Sequence, residues 1–173
     1  MISSKVSGSN RAFSFNRASD IQINLYENLL NMEGLASRPF VSPIADNALF
    51  YYRYRLLGTS LENGELINKI ELIPKRAADP VFRGVIYILE DSWRIHSADL
   101  YLTKEANINF VDTLNIRQEF IPLNSKVWMP SSVRYDFTGG FLGFNFGGYY
   151  IALFKNYVIN PDLNQKDFKE VLK

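Results

Sequence analysis

Cysteine is absent from the 173 residues, histidine occurs once and tryptophan twice. The first absence excludes a disulfide framework, a thiolate metal site and a cysteine nucleophile. It assigns no compartment, because proteins of oxidising compartments also do without cysteine. No run approaches the roughly 18 consecutive apolar residues of a membrane-spanning helix. Charge nearly cancels, with 19 basic against 18 acidic side chains, so no field of one sign is present to attract nucleic acid. Residues 1–5 lack the apolar core of a secretory leader. Taken alone, that opening points to the cytoplasm.

What the chain does have is material for a β core. Hydrophobic residues make up 47% of it, and thirteen Phe and ten Tyr favour strands because flat rings pack well on a pleated surface. The length suits one domain. The expected organisation is a flexible lead with a short strand Arg11–Phe15 over 1–18, a single domain over 19–160, and a short helix or linker over 161–173. Ser19 and Gln22 have capping-box spacing, and Ile21, Leu25, Leu29 and Met32 recur at helical spacing before Gly34. Together they predict a helix over about Asp20–Met32. Pro39 and Pro43 make Ser37–Asn47 an extended loop.

Beyond the loop the apolar period becomes two. Leu66, Ile70 and Leu72 alternate with Lys69 and Glu71, and Leu114, Ile116 and Phe120 with Asn115, Arg117 and Glu119. Further strands are expected at Leu49–Gly58, Val81–Leu89, Trp93–Leu102, Val127–Phe137 and Phe141–Val158. Asn63-Gly64 is a type I′ hairpin signal, and Glu90-Asp91-Ser92 and Gly139-Gly140 are further reversals. Short connections imply antiparallel neighbours in a meander. The predicted fold is mainly β, a β-rich α+β architecture in which a curved antiparallel meander, an open half-barrel, wraps around one N-terminal amphipathic helix. Val81–Leu89 and Phe141–Phe154 are apolar on both faces, so the helix, a partner or a ligand must cover both.

Catalytic chemistry is sparse. His96 has no carboxylate at i±2, and no nucleophile elbow, metal-binding helix or phosphate loop occurs. No metal ligand set and no cofactor fingerprint are present. Asp99, Glu119 and Asp136 lie in strands where they would have to converge for a hydrolase. The aromatic run after Gly140 suggests a groove instead, with Tyr52, Tyr54, Phe144, Phe146 and Tyr150 as candidate lining residues for an apolar ligand. Arg53 and Arg55 are candidates for an anionic head group, or for pairing with carboxylates on adjacent strands.

Phe50-Tyr-Tyr-Arg-Tyr-Arg-Leu-Leu-Gly-Thr, Ile73-Pro-Lys-Arg, Asp79-Pro-Val-Phe-Arg-Gly-Val-Ile-Tyr-Ile, Asp91-Ser-Trp-Arg-Ile and Asp112-Thr-Leu together resemble a Bacteroidota outer-membrane family. Its longer members are similar in carrying a carboxypeptidase-regulatory-like domain, a middle region such as this one and a C-terminal barrel. The middle region in turn resembles lipoprotein-carrier and lipoprotein-sorting half-barrels. That resemblance implies an excised soluble portion located in the periplasm or outer membrane, with membrane association only through regions outside these residues. The two-faced apolarity of Val81–Leu89 and Phe141–Phe154 points to a non-enzymatic binding or scaffolding role in that setting. The expected partners are a lipid or acyl chain and other regions of the full-length chain, with no nucleic acid. A filled architectural domain and a hydrolase with paired carboxylates are the alternatives.

Overall fold

A computed structural model describes residues 23–32, 35–109, 111–141 and 143–160. Residues 24–154 form one compact unit; the other comprises 1–23 and 155–173, and its described residues have no regular secondary structure. The expected strand Arg11–Phe15, the Ser19–Gln22 cap and the C-terminal helix lie outside the described residues.

The larger unit begins with two short strands, β1 (Leu29–Leu30) and β2 (Phe40–Val41), paired antiparallel. One helical turn, α1 (Ala48–Tyr51), runs directly into β3 (Tyr52–Glu62). Then come β4 (Glu65–Pro74), β5 (Arg83–Leu89), β6 (Ile95–Thr103), β7 (Thr113–Pro122), β8 (Trp128–Phe141) and β9 (Phe144–Leu153), with a 3-10 turn at Lys104–Ala106. Strands β3 to β9 form one seven-stranded sheet in sequence order, every pair antiparallel. This is the open meander that the short connections imply. Asn63 and Gly64 both have positive φ, as the β3–β4 hairpin requires. The last reversal departs from expectation. Gly139 and Gly140 lie inside β8, paired with Phe146 and Asn145, and the chain turns after Phe141, where Gly143 supplies a φ of 83°.

Alternation sets the faces of the sheet. Leu114, Ile116, Gln118 and Phe120 of β7 are buried while Asn115, Arg117, Glu119 and Ile121 are exposed. Register carries that division across the strands, so Leu72, Gly84, Leu100, Ile116, Tyr135 and Tyr150 form one row. Ile86, Ala98, Gln118 and Val133 form the next, on the same face.

The cover on this face is not the expected helix. Residues 23–32 contain a turn and β1, and no helical turn. Asn24 accepts the Tyr26 amide on its side chain at 3.2 Å and the Glu27 amide on its carbonyl at 3.0 Å. Asn28 exchanges two hydrogen bonds with Asp46, each 3.0 Å. Asparagines placed one helical turn apart thus give the backbone non-helical partners, and the helix loses. Burial follows the extended path, since Leu30 is buried and Leu29, an expected stripe residue, is exposed.

The resulting strap contributes Leu25, Leu30, Met32, Phe40, Val41, Ala45 and Ala48 to the core. The Tyr26 ring meets Phe120 edge-on at 6.2 Å, and its hydroxyl accepts the Ile95 amide at 3.1 Å. Phe40 packs against Phe82 with ring centroids 5.4 Å apart. The 104–111 connection adds Ala106, Ile108 and Val111. It is tied back to the strap where the Asn109 amide donates to the Leu35 carbonyl at 2.7 Å.

Gly84 permits the closest backbone approach in this core. Its φ is 122°, and a Cβ there would overlap the Asp99 carbonyl oxygen and sit 3.0 Å from Leu100 Cα. Gly84→Ala is expected to destabilise the domain by on the order of 2–4 kcal/mol, read as a lower urea midpoint at unchanged slope. A midpoint equal to that of the native chain would contradict this account.

Candidate functional site

The candidate ligand-lining residues fall at opposite edges of the sheet. Tyr52 and Tyr54 lie on β3 and Phe144, Phe146 and Tyr150 on β9, six strand intervals apart, or roughly 29 Å along the sheet. They therefore do not form one groove wall along a single strand pair.

The β3 tyrosines hold the strap. Tyr52 is only 1% exposed; its hydroxyl donates to the Val41 carbonyl at 2.7 Å and accepts the Phe82 amide at 3.0 Å. Tyr54 donates to the Pro43 carbonyl at 2.8 Å, its ring 5.9 Å from that of Tyr52. Burial pushes the Tyr52 hydroxyl well above the ordinary tyrosine range, with the Phe82 amide pulling the other way. Burial likewise pushes Tyr54 up to about 12. Of the two arginines, Arg55 takes the carboxylate, 2.5 Å from Glu71 on β4. Arg53 is exposed and makes no ion pair among the described residues.

The β9 residues present a different chemistry. Phe144, Phe146 and Tyr150 share the core-side face of the sheet, where Tyr150 pairs with the buried Tyr135 at a ring separation of 6.5 Å. The Phe137 ring of β8 lies over Gly148, so part of the strip between them is filled from the neighbouring strand. Phe144 is 78% exposed, and Tyr149, Ile151 and Leu153 are exposed on the opposite face. Sequence reasoning expects both faces of this strand to be covered. Neither is covered along its length by the described residues.

The three strand carboxylates all point to the outer face, each with a partner. Asp99 lies 3.4 Å from Arg117, Glu119 accepts the Ser132 hydroxyl at 3.0 Å, and Asp136 is held by two bonds from Arg134, at 2.6 and 2.7 Å. Hydrogen bonding to Arg134 draws the Asp136 carboxyl below its ordinary range. Arg134 also stacks over Tyr149 at 5.2 Å. This is a ladder of oppositely charged neighbours, which suits a wet sheet face. His96 is half-buried, with Nε2 3.9 Å from Glu62 and its ring edge-on to Trp128 at 6.4 Å. Glu62 lies 34 residues away in sequence, beyond any local spacing rule. Among the described residues no group of three His, Asp or Glu side chains is placed to hold a metal ion.

A family model matches residues 1–157. The chain belongs to DUF5686, a family of unknown function. No match was found among curated proteins or among solved structures. DUF5686 thus supplies a kinship without a chemistry, and the side chains of this member carry the functional argument.

Sequence reasoning also missed a second surface of this DUF5686 chain. Leu49 and Phe50 read as the start of a strand, but they sit on α1 with Leu49 71% and Phe50 77% exposed. The turn depends on Lys75, whose ammonium donates to the Leu49 carbonyl at 2.7 Å across 26 residues of sequence. No local signal announces it.

The two β3 tyrosines make alkaline stability a test of how the strap is held. Both stay neutral in the folded chain above the pH, about 10, at which unfolded tyrosines ionise. Their contribution is therefore complete below about pH 10 and is lost as pH rises through the higher folded values. Tyr52→Phe is expected to lower stability at pH 7 by about 1–3 kcal/mol, because Val41 and Phe82 lose a buried partner. It should also flatten the decline above pH 10. Urea midpoints from pH 7 to 11 decide, and an alkaline slope identical to the native one would refute the assignment.

Proposed function

We propose that this chain is a non-enzymatic binding domain of the cell envelope, in which the β8–β9 corner holds an acyl chain or an apolar peptide segment against Phe144, Phe146 and Tyr150. The observation that carries the reading is the contrast between the two sheet edges. Edge strand β3 also exposes Leu56, Leu57 and Leu61, but it carries Arg53, Arg55, Glu62 and a bulge between Leu56 and Gly58, devices that discourage pairing with another chain. Edge strand β9 has ten residues without one charge or proline, and large apolar side chains exposed on both faces. An exposed apolar patch that no charge blunts marks an interaction surface.

Binding is favoured over hydrolysis because Asp99 and Asp136 are each matched to an arginine, not to a second carboxylate. Paired carboxyls at about 5–9.5 Å across an open cleft are what glycoside hydrolysis requires. The cell-envelope setting rests on the resemblance carried by the segments from Phe50 to Leu114, and the same resemblance supports a middle region between a regulatory-like domain and a barrel. A filled, purely architectural domain is the second reading, favoured by the Phe137 ring over Gly148 and the Tyr135–Tyr150 pair.

Titration with a fluorescent fatty acid separates the two. Saturable binding is expected, weakened roughly tenfold or more in Phe144→Asp and Phe146→Asp, since each removes an apolar contact worth about 1.5–3 kcal/mol. Absence of saturable binding by the native chain, or binding indifferent to both substitutions, would leave the architectural reading standing.

A further inference from the structure

We propose a second, independent interaction surface: the corner built by α1 and the β4–β5 connection docks on a bilayer bearing anionic lipids, with Leu49 and Phe50 entering the acyl boundary. Two adjacent large apolar side chains project from a single helical turn. They are held there by structure. The Ala48 and Phe50 amides donate to Ala45 and Asn47 at 2.9 and 3.0 Å, the Lys75 amide donates to Tyr51 at 2.8 Å, and the Lys75 ammonium donates to Leu49 at 2.7 Å. These bonds fix the position of the turn that carries the tip.

The surroundings of the tip are basic. Lys75 touches α1 directly, Arg76 follows it, and Arg53 faces Ile73 across the β3–β4 ladder. Arg38 donates to the Ala78 carbonyl in the same connection at 2.6 Å. All four are exposed. Against these four cations stand two carboxylates, Asp79, 3.0 Å from Arg76, and Asp46, which keeps its charge in its hydrogen bond to neutral Asn28, while Arg38, Arg53 and Lys75 form no ion pair among the described residues. The corner is therefore net positive, although the whole chain is nearly neutral.

An apolar wedge inside a cationic collar fits a membrane interface, where hydrocarbon receives the wedge and anionic head groups neutralise the collar. A protein partner is the poorer fit, because stable interfaces bury about 800 Å² on each side and this tip is two residues wide. A second copy fits worse still. Isologous pairing would set the same positive corner against itself.

Vesicle co-sedimentation tests the proposal, using phosphatidylcholine alone against phosphatidylcholine containing anionic phosphatidylglycerol. Binding is expected only to the anionic vesicles, falling with added salt. Leu49→Ser combined with Phe50→Ser should weaken it by more than about tenfold. Arg53→Gln should weaken it about fivefold or less and reduce the salt dependence. Phe50→Trp should report entry into hydrocarbon as a blue-shifted emission on the same vesicles. The same double substitution should leave fluorescent fatty-acid binding at β9 as in the native chain, so that failure here is distinguishable from failure of the β9 reading. Equal thermal midpoints of the tip variants would certify their fold, since the substituted positions are exposed. No binding to anionic vesicles, binding unaffected by the double substitution, or tip-dependent self-association without vesicle binding would each overturn the proposal.

Discussion

A sheet face covered by irregular chain is stable only when the covering backbone finds hydrogen-bond partners, because a buried, unpaired carbonyl or amide costs about 1–3 kcal/mol. In this domain one buried hydroxyl meets much of that demand. Tyr52 takes the Phe82 amide and gives to the Val41 carbonyl, joining the first sheet strand, the strap and the entry to β5. Ser42 repeats the device by donating to the Leu25 carbonyl at 2.5 Å, and the Tyr26 hydroxyl by accepting the Ile95 amide. Without these side chains the strap would expose its own polar groups to an apolar face. These bonds hold the strap over inward faces that strand alternation has already made apolar.

The covering reaches unevenly across the sheet. Among the described residues it meets β3, β6 and β7 through Tyr52, Tyr54, Ile95 and Phe120, and Phe82 at the entry to β5. At β9, among the described contacts, the Tyr135 and Phe137 rings of β8 pack beside Tyr150 and Gly148. The apolar character of the β8–β9 corner comes from the residues of β9, which carry no charge. The tip on α1 belongs to the other end of the sheet, where the strap meets β3. Two surfaces of different chemistry, one neutral and one cationic, therefore stand apart on one scaffold. Membership of DUF5686 assigns a role to neither.

Parts of the candidate site were visible in the residues. The alternation of β9 correctly groups Phe144, Phe146 and Tyr150 on one face, because period two fixes which side chains point together. The same logic put Arg55 on the face where Glu71 receives it. Tyr52 and Tyr54 look equally suited to a groove by composition, yet their hydroxyls face the carbonyls of Val41 and Pro43, and that choice depends on the path of the strap. The Glu62–His96 approach and the Lys75 bond to Leu49 bring together residues far apart in sequence, which no spacing rule can join.

The seven strands of the large sheet, their antiparallel order and the inward residues of β7 were determined by the chain alone, since alternation and tight turns are local properties with few solutions. Local signals failed where tertiary partners outbid them. Leu25 and Met32 keep helical spacing and are buried as that spacing suggests, but Asn24, Asn28 and Ser42 draw the backbone into a turn and a short strand. Gly139 and Gly140 look like a reversal, but cross-strand pairing extends β8 to Phe141 and moves the turn to Gly143. Only the folded arrangement decided that Leu49 and Phe50 stand exposed and that β9 has no neighbour among the described strands, because both depend on contacts made, or left unmade, between distant segments.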